Sequence, residues 1–485
     1  MIRKIVLTRG HEWLRDGWTT RSFAPAGAGL ESSIKTTGMN YDESYHPVRV
    51  PGESALKLTQ PAALGFNYSA LSDTTKPAAY SMRAVFDDED AVERLKVDRA
   101  DEVIGVYADL MIAPCPTYCG GSAVGTSKKV ASAMGVSALR KAGLTGKNVR
   151  VAIVDTGIDG SKVKVAGGWG PVLGFEPGTT EAVFNSNAAH GTMCAFDVRI
   201  SAPDARILDY ALLQSEGPGW SAFLSDAITA FGNLIDLIVN EPGPLVVNNS
   251  WALFNREDDE PIGSSGNYSA NPDHPFNQIV GTLVGAGADV CFAAGNCGAQ
   301  CPDGRCGAND KGPGASIHGA NSHPDVITVA AVTVDKRRLG YSSQGPGGLH
   351  KRKPDLAGYS HFAGSGVYDA DGGTSAASPV VAGVVAALRQ KVSVKKRSPA
   401  SMKALLQRSA KDLEGDLWDY DLGYGIIDAA AAIKSLKLTA TTKTSAKYGQ
   451  KSSKKSSKKS SKKSSAKTSK KSSKKSGKKS SKKTG

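Results

Sequence analysis

The stretch VRVAIVDTGIDG, residues 149–160, joins an almost unbroken apolar run to an aspartate and a glycine turn. From Val149 to Val154 only Arg150 is polar, which reads as a strand buried on both faces, the habit of parallel sheets flanked by helices. Runs of the same kind recur downstream in ARILDYALL, PLVVNNSW, DVCFAAGN and DVITVAAVTV, separated by helical patterns such as SAFLSDAITAFGNLIDLIV and FNQIVGTLVGAGA. This alternation predicts an α/β fold, a mostly parallel sheet with helices on both faces. Working residues gather at the carboxyl ends of the strands in such sheets. Three of the runs end in a notable polar residue: Asp155, Ser250 and Asn296.

The α/β pattern fills residues 132–440. Ahead of it, residues 1–74 mix Gly, Pro, Ser and Thr without a sustained period and read as an N-terminal segment with no assignable role. YSMRAVFD, DEDAVERLKVDR and EVIGVYADLMI then read as strand, helix and strand, a small α+β unit over 75–114. PCPTYCGGSAVGTSKK has the composition of an exposed linker, 115–131. Residues 441–485 form a Lys/Ser-rich tail whose KSSKKSSKKSSKK repeat has no apolar residue to bury, and it is expected to be disordered. The net charge of +14 is located there: 16 lysines and no acidic residue follow from Lys451 onward, so the rest of the chain is nearly neutral. Residues 451–485, which include no aromatic residue, are suited to polyanions (nucleic acid, anionic lipid or acidic polymer) by charge alone. No run approaches the roughly 20 apolar residues of a transmembrane segment. Ile5-Val6-Leu7 is far shorter than a secretory signal needs, so the default expectation is cytoplasmic, with reduced thiols.

DGGTSAASPVVAG, residues 371–383, sets Ser375 behind two glycines and at the start of a helix that continues through Pro379, expected within the first turn. Glycine permits close backbone approach, and free amides at a helix start favour developing negative charge. A serine hydroxyl is a weak nucleophile without a base and an orienting acid. AAHGTMC places His190 at another helix start, and Asp155 closes the first strand. Asp155-Thr-Gly, His190-Gly-Thr and Gly-Thr-Ser375-Ala-Ala-Ser-Pro, in that order, resemble the subtilisin family of serine peptidases. FAAGN (292–296), VVNNSWA (246–252), HPDVITVAAV, KPDLAG and LGYGIIDAAAA extend the resemblance over about residues 120–440.

The resemblance implies a subtilisin-like catalytic domain and a serine endopeptidase working through an acyl-enzyme. Ser375 would be the nucleophile, His190 the general base, Asp155 its orienting partner and Asn296 the side-chain donor of the oxyanion hole. Ser250, Trp251 and Ala252 would bind substrate, a protein or peptide. A peptide ligase or cyclase using the same acyl-enzyme, or a polyanion-binding protein acting through residues 451–485, are the alternatives. The chemistry needs no cofactor and no metal; calcium is frequent in the family, but no ligand set stands out. The α+β unit resembles the family's propeptide inhibitor, with self-cleavage expected between Cys115 and Lys129. Trp251-Ala252 replaces the family's small apolar residue and glycine, which implies a narrower pocket. Cys194 reads as a buried small residue near the histidine. Cys297, Cys301 and Cys306 lack the spacing of a structural zinc site and read as loop disulfides or free thiols.

Overall fold

The computed structural model describes residues 1–9, 34–42, 44–45, 47–50, 79–115, 121–171, 174–179, 189–214, 221–413, 415 and 417–437. The chain divides into Met1–Thr441 and Thr442–Gly485; the expected tail at 441–485 lies outside the described residues.

Seven parallel strands form the central sheet: β7 (Arg150–Val154), β8 (Gly168–Trp169), β9 (Arg206–Tyr210), β11 (Leu245–Asn249), β13 (Asp289–Ala293), β14 (Ile327–Val332) and β15 (Leu356–Tyr359). Their order is β15-β14-β13-β11-β7-β9-β8, and every pairing is parallel. Successive side chains of a strand point to opposite faces, so the apolar runs feed two cores. Val151 and Ile153 join Val246 beneath α4 (Ala189–Ser201) and α7 (Gly373–Arg389). Ala152 and Val154 join Val247, Val290 and Phe292 beneath α5 (Leu224–Asn240) and α6 (Pro275–Gly285). Each of the valine, isoleucine and phenylalanine side chains among these, removed fully from water, contributes about 1.5–3 kcal/mol. The chain builds β8 and β9 on one side of β7 and then crosses to β11 on the other. The strand order therefore reverses beside β7, and the crevice opens at the carboxyl ends of β7 and β11. Short helices α2 (Ser127–Ala133), α3 (Val136–Lys141), α8 (Pro399–Ser409) and α9 (Ala429–Ser435) complete the first face.

The N-terminal region differs from its expected division. β1 (Ile2–Arg9), β2 (Met39–Tyr41), β3 (Val48–Val50), β4 (Ala79–Phe86) and β5 (Val103–Ala108) share one antiparallel sheet, with β1 central between β4 and β5. Residue 75 is therefore no boundary, and parts of 1–74 belong to the α+β unit. The signal was weak because β1 is covered on both faces. Val6 packs with Leu95 of α1 (Glu89–Asp98), whereas Ile5 and Leu7 join the core that holds Phe231 of α5. A buried polar tie reinforces this docking: Arg83 of β4 donates to Ser225 Oγ (2.7 Å) and pairs with Asp226 (2.5 Å) at the start of α5, beside Asp109. The linker expectation at 115–131 is also revised. Residues 116–120 lie outside the described residues, but Ser127–Ala133 is helical, with Thr126 capping it through Lys129 N–H. Among the described residues no helix is long and apolar enough to cross a membrane.

Candidate active site

Asp155 follows the last residue of β7, fully buried, and its Oδ1 accepts from His190 Nδ1 at 2.7 Å and from Thr156 N–H at 2.8 Å. His190 is the second residue of α4. Gly191 brings that helix start against the β7 turn: a Cβ there would lie 2.2 Å from the Gly157 carbonyl, and Gly191 N–H donates to Thr156 Oγ1. The imidazole is thus aimed by a carboxylate behind it, while among the described residues its Nε2 is buried without a hydrogen-bond partner. Cys194, one turn along α4, donates weakly to Asp155 Oδ2 (3.7 Å) and to the Ser375 carbonyl (3.6 Å). Asp155, His190 and Cys194 hold ligand atoms within 4.8 Å of one another. Burial pushes the Cys194 thiol well above its ordinary pKa, which opposes the thiolate a soft metal site requires.

Ser375 is the third residue of α7, fully buried. Pro379 sits deeper in that helix than the first turn expected for it, and the reason is local. Proline has no N–H to return to the carbonyl four residues earlier, which is that of Ser375. This carbonyl instead accepts from Ser250 Oγ at 2.9 Å, while Ser375 Oγ donates to the Ser250 carbonyl at 3.1 Å. Two reciprocal bonds tie the serine turn to the end of β11. In this arrangement the Ser375 hydroxyl is turned to Ser250 rather than to His190; such contacts are often long or misaligned before a substrate complex forms. Ser378 Oγ donates to Asn248 Oδ1 and is committed to packing.

Asn296 lies just beyond β13. Its Oδ1 accepts from Thr374 N–H and Thr374 Oγ1, both at 2.9 Å, and this pair of donors turns the amide NH₂ into the crevice. There Nδ2 donates to the carbonyl of Cys115 at 2.5 Å. The chain's own β6 (Met111–Pro114) is the middle strand of a three-stranded antiparallel sheet, between β10 (Ala222–Phe223) and β12 (Trp251–Ala252). Beyond it, Cys115 N–H donates to the Ser250 carbonyl at 3.0 Å. Gly373, at φ +71°, leaves room for this strand, since a Cβ there would lie 2.3 Å from the Cys115 carbonyl. A peptide carbonyl thus rests on a side-chain amide, beside a buried serine and an imidazole backed by a carboxylate.

Ser250, Trp251 and Ala252 all flank this strand, though not as the sequence implied for Trp251. Its indole faces the core, 5.2 Å from Phe292 and 5.7 Å from Phe276 between ring centroids, because alternate side chains of a strand point to opposite faces. It therefore does not narrow the pocket. The Cys115 side chain packs instead with Ala252, Phe254, Cys297 and Cys306, and Cys297–Cys306 is a disulfide, the first of the two readings, loop disulfide or free thiol, that the sequence left open for these cysteines. Sequence reasoning passed over Cys115, treated as the start of a linker, and Thr374, whose place in Gly-Thr-Ser was the available signal.

A buried Asp–His pair, a serine at a helix start and an amide donor around a peptide carbonyl define a cleft of the serine-peptidase type. The family model described as the Subtilase family matches residues 146–425, more than half of the chain, and the chain belongs to that family. It is 29% identical over 313 residues to fervidolysin of Fervidobacterium pennivorans, covering 60% of this chain and 41% of that protein. It is 28% identical over 335 residues to the membrane-bound transcription factor site-1 protease of Homo sapiens, covering 64% of this chain and 27% of that one. Against subtilisin DY of Bacillus licheniformis the identity is 30% over 296 residues, 60% of this chain and 93% of the relative. The chain thus spans well under half the length of the first two relatives and nearly all of the third.

Proposed function

We propose that this chain is a serine endopeptidase in which Ser375 attacks a peptide carbonyl and His190 takes its proton at Nε2. Asp155 holds the imidazolium, and Asn296 Nδ2, with the Ser375 backbone amide, stabilises the oxyanion. The proton on His190 then passes to the departing nitrogen, the acyl group remains on Ser375, and water releases it by the same steps in reverse order. The observation that carries the reading is the seat of the chain's own strand, with the Cys115 carbonyl on Asn296 Nδ2 and Cys115 N–H on the Ser250 carbonyl. A strand so held is the posture of a peptide about to be attacked at Cys115, and it supports a propeptide role for the N-terminal sheet. In purified full-length protein, Ser375→Ala should abolish labelling by a fluorophosphonate and hydrolysis of peptides, read as the mass gain of one water. Labelling that survives the substitution would sink the assignment.

A further inference from the structure

The ten residues after Asn296 include a feature that the reading above does not use. The segment from Cys297 to Cys306 is closed by a disulfide, and it folds back on the oxyanion asparagine: Asp303 N–H donates to the Asn296 carbonyl at 2.9 Å and Cys306 N–H to the Asp303 carbonyl at 3.1 Å. Between these anchors stands Arg305. Its Nε and Nη2 donate to the two carboxylate oxygens of Asp303 at 2.9 and 3.0 Å, and its guanidinium lies 3.9 Å above the centre of the Phe254 ring. A fork held by a carboxylate and an aromatic face has little rotamer freedom left to lose. The Arg305 Nη2 also donates to the carbonyl of Pro114 at 2.9 Å. Pro114 precedes the residue whose carbonyl rests on Asn296, so this contact is to main chain and does not depend on the side chain there.

We propose that Arg305 is a substrate-binding residue of the cleft: it grips the carbonyl of the residue preceding the attacked one, in the chain's own strand and in any peptide laid along β12. The disulfide loop is the frame that aims it. The inference rests on the peptidase reading of the same cleft. Because the resident strand competes for the same grip, the test compares two peptides within one protein, which cancels that competition. Full-length protein is given succinyl-Ile-Ala-Pro-Ala p-nitroanilide and its analogue with a thioamide at the proline carbonyl, a poorer acceptor. A charge-assisted hydrogen bond to a carbonyl gives about a tenfold preference in kcat/KM for the oxygen peptide. That ratio should hold in the wild type, fall to about one in Arg305→Ala, and be intermediate in Arg305→Lys. Fluorophosphonate labelling of Arg305→Ala should be at least as fast as that of the wild type, because the resident strand is held less firmly. An equal oxygen-to-sulfur ratio in wild type and Arg305→Ala overturns the proposal. So does slower labelling together with an equal loss on both peptides, which marks a collapsed loop. A wild type that neither labels nor hydrolyses removes the peptidase reading itself.

Discussion

His274 should make the fold sensitive to acid by an amount that follows from its surroundings. The ring is fully buried between Tyr107 and Tyr268, with centroids 5.6 and 5.1 Å away. Its Nε2 meets the Ala108 carbonyl at 2.9 Å, and its Nδ1 accepts from Phe276 N–H at 3.2 Å, capping α6. The two bonds specify a neutral ring with its proton on Nε2. A second proton would displace the cap and place a charge at the positive end of a helix. Burial accordingly pushes the pKa from 6.5 down to about 4. Between those values the unfolded chain binds more protons than the folded one. The contribution of His274 is therefore complete above the unfolded pKa and is lost as pH falls through 6.5 toward 4. At about 1.4 kcal/mol per pH unit, and allowing for the rounded onset near 6.5, the loss from pH 7 to pH 5 is about 2 kcal/mol. Urea unfolding of full-length Ser375→Ala protein, which removes self-digestion, measures it against the same protein carrying His274→Gln. Burial also lowers the pKa of His318 and His323, but their effect is common to both proteins and drops out of the difference. If the two lose stability equally between pH 7 and pH 5, the reasoning about His274 fails.

Three further outcomes bear on the cleft. Asn296→Ala should lower kcat about 10²- to 10³-fold with little change in KM, because the amide matters chiefly once the oxyanion forms; a change confined to KM would make it a ground-state contact. Pro116→Ala should speed self-cleavage after Cys115, because proline gives the departing nitrogen a ring carbon in place of an N–H and crowds the imidazole that must protonate it. N-terminal sequencing over a time course reads this, and an unchanged rate refutes it. Since Ala252, Phe254 and the Cys297–Cys306 disulfide close around the Cys115 side chain, peptides with alanine at the attacked residue should surpass those with phenylalanine by at least about tenfold in kcat/KM. Equal rates would mean that the pocket wall moves aside.

The parallel sheet was readable because its strands are buried on both faces, which leaves near-continuous apolar runs, and because three of those runs, at β7, β11 and β13, lead into a polar residue at the crevice. Asp155, Ser250 and Asn296 stood out for that reason. The N-terminal sheet was readable only in part. In β1, Lys4 and Thr8 are both buried, at 4% and 0% exposure, so the polar residues that normally mark a solvent face lie inside, and the period disappears. The pairing of β1 with β4 and β5 spans about 70 to 100 residues of chain, which no local pattern encodes.

Trp251 and Arg305 show a different limit. A motif match fixes where Trp251 stands along the strand, but the strand's alternation decides which face the indole takes, and the core holding Phe276 and Phe292 had room for it. Arg305 belongs to no motif; its position comes from a loop whose shape depends on which cysteines join. Three cysteines within ten residues were visible, but their pairing was not, and with it went the direction of the arginine that the loop carries toward the cleft. The resident strand supplies what the sequence lacked, because it marks the line a peptide follows. Its hydrogen bonds with Ser250, Asn296 and Arg305 all use its main chain. Recognition of that kind tolerates many sequences and discriminates mainly where a side chain is enclosed, which along this strand is at Cys115 and at Ile112, both fully buried.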